Sequence, residues 1–160
     1  MKNRTDSVFE GVKSLASIEA APESLFLELG DDSALGMTLV AFSAPFLGGS
    51  FGAGKSADTG TSERDINHGK ELLLSFAIAL CDPLYMPDVI VFYHRGVDLL
   101  SYQNPAAEIF QKLNDLGARI LVCEESCKLY DVDISVVGIQ NVSMETIYVE
   151  MLHADKVIKP

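Results

Sequence analysis

Basic residues are scarce in this chain: 12 lysines and arginines stand against 23 aspartates and glutamates, for a formal net charge of −11. Nucleic-acid binding rests on Lys and Arg neutralising phosphate, so nucleic acid is excluded as a partner. A membrane surface is excluded for the same reason. Cysteine is scarcer still. Three of them, an odd number, build no disulfide framework, and a reducing cytoplasm is the compartment that fits. Long hydrophobic runs are also missing. The longest, Leu72 to Cys81, is broken by Ser75 and is too short to cross a bilayer. The opening MKNRTDSVFEG is basic but has no apolar core segment, so no signal peptide is expected.

What is present is apolar. Hydrophobic residues make up 48% of 160 positions, enough for one domain with its own core. Residues 6–20 place Val8, Val12, Leu15 and Ala16 on one helical face, and residues 24–29 (SLFLEL) read as a short strand. MTLVAFS (37–43) is a firmer strand, with a Gly before it and a Pro after it. Residues 44–65 are rich in Gly, Ser, Thr and Asp and read as a long loop. Residues 66–81 read as a helix capped by Asp65. Apolar residues cover most of its circumference, which predicts burial on two sides: against a sheet and against a partner subunit. DVIVFYH (88–94), ARILVC (118–123) and ISVVG (134–138) read as strands covered on both faces. Between the first two lies a punctuated helix (104–117), with Asn104 as N-cap, Pro105 in the first turn and Gly117 past the end. Residues 143–153 put Met144, Ile147, Tyr148, Met151 and Leu152 on one stripe of an amphipathic helix, and DKVI (155–158) closes the chain as a strand. Strands alternating with helices predict an α/β fold of three layers, α/β/α, around a mostly parallel sheet of about five strands.

The stretch GSFGAGKS, Gly49 to Ser56, fits the phosphate-loop pattern G-x-x-x-x-G-K-[ST] at every position. Its required context is missing. The strand before it ends at Ser43, with Pro45 and a further turn before Gly49, and ADTGTSERD after it has no helical periodicity. No second apolar strand ends in the Asp that would hold magnesium. Nucleotide binding there is the weakest of three functional readings.

Ligands of a parallel sheet sit beyond the carboxyl ends of its strands. Two such ends carry reactive residues: YHRGVDLL, with His94 and Arg95, and CEESCKLYDV, with Cys123 and Cys127. Cys123 falls where a strand stops and a short helix begins, where a helix dipole favours thiolate. Glu124 and Glu125 oppose this by like charge, and Arg95 is placed to restore the balance. A buried, inert core cysteine is the competing reading. Cys127 lies one helical turn on, so both thiols would share a helix face, as a resolving pair or as metal ligands. With His68, His94 and His153 scattered, no zinc site is expected.

These residues carry a resemblance. From about Met37 to Pro160 the chain resembles the DsrE/DsrF-like domain of sulfur-relay proteins, above all the C-terminal domain of YedF-type proteins of selenium metabolism. VIVFYHRGVDLL resembles the family's FFYREGV segment, LNDLGARILVCEESCKLYDVDI its L-x-x-x-G-x-x-I-x-x-C strand, and ADKVIKP its last strand. The resemblance implies the three-layer fold, a homo-oligomer (trimer or hexamer), and a Cys at the position of Cys123 that accepts a persulfide sulfur and passes it on. No cofactor and no metal are expected. This chain departs from the C-G-T-C pattern of the family: Ser126 holds the offset of the second Cys, and Cys127 comes one later. Asp131 replaces a Gly where the chain turns, and loop 44–65 is longer than the family's. Residues 1–36 match nothing recognised and form a separate segment before the 37–160 domain. The reading is a cytoplasmic sulfur carrier or sulfurtransferase working between donor and acceptor proteins through Cys123, with Cys127, Arg95 and His94 around it. A non-catalytic oligomeric assembly module of the same fold is the alternative.

Overall fold

The structure, a computed structural model, describes residues 36–48 and 63–160. The elements read at 6–20 and 24–29 and the phosphate-loop match at Gly49–Ser56 lie outside the described residues. The chain order is β1 (Thr38–Phe42), α1 (Glu63–Ala79), β2 (Val89–Phe92), a 3-10 helix (His94–Leu100), α2 (Ala106–Asp115), β3 (Arg119–Cys123), α3 (Glu124–Tyr130), β4 (Gln140–Val142), α4 (Met144–His153) and β5 (Lys156–Ile158). The strands form one five-stranded sheet in the order β4-β3-β2-β1-β5, and every pairing is parallel. α4 therefore carries the chain from one sheet edge to the other.

The three inner strands are apolar because both their faces are covered. TLVAF, VIVF and RILVC are buried almost throughout. Alternate side chains divide between two clusters. Val40, Phe42, Ile90, Phe92, Ile120 and Val122 point to the side covered by α1, the 3-10 helix and α2. There Phe42 and Phe92 stack at 5.2 Å, and Phe110 of α2 meets both edge-on, at 5.2 and 4.8 Å. Leu39, Ala41, Val89, Val91, Leu121 and Cys123 point to the other side, where Ile147 of α4 covers them.

Local signals explain most boundaries. Asn104 Oδ1 accepts the Ala106 N–H at 3.0 Å, satisfying an orphan donor at the start of α2. Gly117 takes φ 112 just past its end. Ser143 caps α4 by accepting the Thr146 N–H at 3.2 Å.

Three sequence expectations need correction. α1 begins at Glu63, inside the expected loop, so Asp65 is not the cap but an acid of the first turn, with Glu63. Within one copy its buried residues, Gly69, Leu73 and Ala77, lie on the face toward the sheet, and Leu72 is exposed on another side. The strand expected at 134–138 is not one. Ile134 makes only an isolated antiparallel bridge to Ser101, and the edge strand forms later, at the polar Gln140–Val142. Side-chain hydrogen bonds hold 134–138 as irregular backbone over α2: the Val137 N–H donates to Gln111 Oε1 at 2.7 Å, and Asn114 Nδ2 donates to the Val137 carbonyl at 3.0 Å. Finally, the stripe read on α4 splits. Ile147 and Met151 face the sheet, whereas Met144, Tyr148 and Leu152 face outward.

Candidate functional site

The carboxyl ends of β2 and β3 lie side by side, with Phe92 level with Val122. The chain leaves β2 through Tyr93 and turns sharply at His94, which takes the left-handed φ of 50. That turn is fixed from α3: the His94 N–H donates to Ser126 Oγ at 2.9 Å. The imidazole meets the Tyr130 ring edge-on at 5.5 Å. The Arg95 guanidinium lies 4.1 Å from the centre of the same ring and 3.6 Å from the Asp98 carboxylate. The 3-10 helix can lie this close to the sheet because position 96 has no side chain: a Cβ on Gly96 would collide with the Phe42 carbonyl. Gly96→Ala is thus expected to cost about 1–3 kcal/mol, the range for overpacking a tight site, read as a lower melting temperature. An unchanged melt would show that the helix shifts freely.

Cys123 is the last residue of β3 and the N-cap of α3, in extended conformation. The sequence placed it at this junction. Its environment was not legible. The thiol is only 3% exposed and packs on the α4 side of the sheet, with Tyr93, Val142 and Ile147 in its cluster. Its Sγ donates to Glu125 Oε2 at 3.1 Å. That thiol, followed by the Glu125 backbone N–H and, more weakly, the Met144 N–H, holds the Glu125 carboxyl below the usual carboxylate range. α3 is seven residues long with two acids in its first turn, which offsets what its dipole contributes. Arg95 does not offset them, since its charge is directed to Asp98 and Tyr130.

Cys127 packs against the opposite cluster, on the α1/α2 side. The two thiols therefore do not share a face, because Cys123 still follows the strand's alternation rather than the helix's turn. Burial, and then the charge of Cys123, push the Cys127 thiol up to about 11. Cys81 is also raised by burial, with Lys112 opposing. All three cysteines are free.

The structure thus brings His94 and Arg95 together with α3 on one side of the sheet end and sets Cys123 on the other. Sequence reading missed Ser126 and Tyr130 as parts of this arrangement, and named Glu125 only as an opposing charge, not as the acceptor of the Cys123 thiol. Ser126 and Tyr130 lie one turn apart, a spacing that signals a shared helix face. For Glu125 no spacing pointed to a contact with Cys123. Asp131 takes the expected left-handed turn, with φ 51. Among the described residues, no three His, Cys, Asp or Glu side chains converge as a metal site requires, and no helix is long and apolar enough to cross a membrane.

A five-stranded, all-parallel sheet in this order, interleaved with helices, defines an α/β protein. The model of the DsrE/DsrF-like family matches residues 57–160, and the chain belongs to that family. Membership supports a sulfur-relay role at family level, in work shared with partner proteins. Among solved structures, the chain is similar to the ychN protein from E. coli, with a TM-score of 0.48 and 11% identity over 79% of this chain and 100% of that one. No curated protein matches the chain.

Proposed function

We propose that this protein carries sulfane sulfur on Cys123, taking it from a donor persulfide and passing it to an acceptor protein. The observation that carries the reading is the place of Cys123 at the carboxyl end of an inner parallel strand, within the family match. We assign this work to the domain that begins at Met37, acting as a homo-oligomer in the cytoplasm. Residues 1–36 form a separate segment in this reading.

In the loading step, the Cys123 sulfur attacks the outer sulfur of a donor R–S–SH. A Cys123 S–S bond forms and the donor S–S bond breaks. The thiol proton leaves along its hydrogen bond to Glu125 and on to the departing R–S⁻. No net oxidation occurs, and the carboxylate ends as it began. An acceptor thiolate then takes the outer sulfur from Cys123–S–SH by the same exchange. Selenium would travel by the same two steps. His94 and Arg95 brace the start of α3 and so position the backbone that carries Cys123. Cys127 is the reserve thiol. Because Cys123 is buried, loading requires the donor to displace part of its apolar cover while the hydrogen bond to Glu125 holds.

The same burial favours a second reading: an assembly module in which Cys123 is an inert core thiol. Intact-protein mass spectrometry after incubation with a small persulfide donor separates the two. We expect a one-sulfur adduct on the wild type and on Cys127→Ser, and none on Cys123→Ser. No adduct on any form, with Cys123 also closed to alkylation in the native protein, selects the assembly module.

A further inference from the structure

β2 and β3 are level at Phe92 and Val122, so the residues that follow, Tyr93 and Cys123, stand beside each other at the sheet end. Both belong to the cluster on the α4 side. β5 reaches the same sheet end from the far edge. Its Ile158 is level with Val40 of β1, and both pack on the α1/α2 side. Side chains alternate along a strand, so Lys159 falls on the α4 side. From there it reaches across β1: its Nζ lies 5.6 Å from the centre of the Tyr93 ring, within cation–π range. Lys159, Tyr93 and Cys123 thus form one row along the strand ends. The rest of this corner is acidic. Glu125 accepts the Cys123 thiol, Glu124 precedes it, and Glu145 stands in the first turn of α4. Nearby cations are engaged: Arg95 with Asp98 and Tyr130 on the other side, and Lys128 with Glu124 at 3.4 Å. No carboxylate among the described residues pairs with Lys159. An aromatic ring holds an ammonium without neutralising it, and its N–H donors stay available.

We propose that Lys159 is the specificity-determining cation of the Cys123 site: it draws negatively charged reactants to the thiol, so the sulfur donor is one with a carboxylate or similar anion close to its sulfane sulfur. Tyr93 is a positioning residue that holds the ammonium toward Cys123. The acids explain why a cation is needed there. Exchange brings negative charge to this corner, first on the donor and then on the departing thiolate. Glu124, Glu125 and Glu145 repel both, and the chain's −11 charge adds to the repulsion. Lys159 offsets this at the one place where an anion could lie beside the sulfur. As a statement about the donor, the inference rests on the sulfur-carrier reading. The pull of Lys159 on an anion approaching Cys123 does not, and it is measurable without any sulfur transfer.

Alkylation of the native full chain by iodoacetate, an anion, and by iodoacetamide, its neutral counterpart, tests this, with each cysteine followed by peptide-resolved mass spectrometry. Lys159 is exposed and next to last in the chain, so its variants should leave the fold intact. At low salt, Lys159→Gln should slow iodoacetate on Cys123 about two- to fivefold, the effect of one unit charge several ångströms away near water. Its iodoacetamide rate should not change. Lys159→Glu should slow iodoacetate further, and Lys159→Arg should restore it. About 0.5 M salt should remove the difference. Cys127, on the other side of the sheet, should keep its ratio of the two rates in every variant. An unchanged ratio at Cys123 in Lys159→Gln overturns the proposal, as does a Cys123 closed to both reagents. Loading from mercaptoacetate persulfide and from 2-mercaptoethanol persulfide then separates the two readings. A ratio of alkylation rates that follows Lys159, with no sulfur adduct from either donor, upholds the pull of Lys159 and defeats the relay. An adduct that forms from both donors at rates indifferent to Lys159 upholds the relay and overturns the proposal.

Discussion

In the native protein, alkylation of Cys127 is expected to speed up about tenfold with each pH unit from 7 upward, and to level off only near pH 11. Burial against the α1/α2 side of the sheet, aided by the charge of Cys123, pushes this thiol up to about 11. The thiolate is the nucleophile, so on the order of one molecule in 10⁴ is reactive there at pH 7. An unperturbed thiol would level off near pH 9 instead. Peptide-resolved mass spectrometry with a small haloacetamide follows each cysteine separately, and a plateau for Cys127 near pH 9 would sink the assignment. On the proposed sulfur-carrier reading, the raised thiol makes Cys127 a poor sulfur acceptor at neutral pH. The shift also has a sign for stability. The folded-state value lies above the ordinary value of 9.0 for an unfolded thiol. The contribution is therefore fully present below pH 9 and is lost as the pH rises from there through about 11.

Much of this arrangement was legible in the sequence because its signals are local. β1, β2 and β3 announce themselves as continuous apolar runs, since a strand covered on both faces has no polar side to show. α2 carries its start and stop in Asn104 and Gly117, and α4 its apolar stripe over 143–153. Cys123 was legible as the last residue of an apolar strand. What was not legible depends on tertiary partners. Apolar ISVVG reads as a strand, yet Gln111 and Asn114 of α2 bind its backbone, and the edge strand forms in polar QNV, where one sheet edge asks little of side-chain hydropathy. Periodicity places the five apolar residues of α4 on one stripe, and it alone does not say that the sheet covers only the Ile147 and Met151 edge of that stripe. The Cys123–Glu125 hydrogen bond joins residues two apart across a strand-to-helix junction, where neither the strand nor the helix rule applies. Arg95 was expected to balance the acids beside Cys123, but Tyr130, one turn beyond Ser126, draws it to the other face.

The last expected result concerns the side of the sheet covered by α1, the 3-10 helix and α2. Replacing Phe110 by alanine should destabilise the domain by about 3–5 kcal/mol, the range for a buried Phe. Phe110 is fully buried and stands edge-on to both Phe42 and Phe92, at 5.2 and 4.8 Å. Its removal takes away both edge contacts and opens a void between α2 and the two inner strands. The surroundings have little means to collapse into it. The strands are fixed by pairing on both sides, and the 3-10 helix is held close to β1 at Gly96. A domain's whole stability is about 5–15 kcal/mol, so the loss is a large share of it. It should appear in urea as a lower midpoint with an unchanged slope. A loss below about 1 kcal/mol would show that the aromatic trio is not the centre of the core. The same void lies under the 3-10 helix, whose Val97, Leu99 and Leu100 belong to the same cluster as Phe110. Loosening should therefore reach His94 and Arg95 before it reaches Cys123, which is packed on the α4 side and depends for its cover on Ile147 and on whatever holds α4 in place.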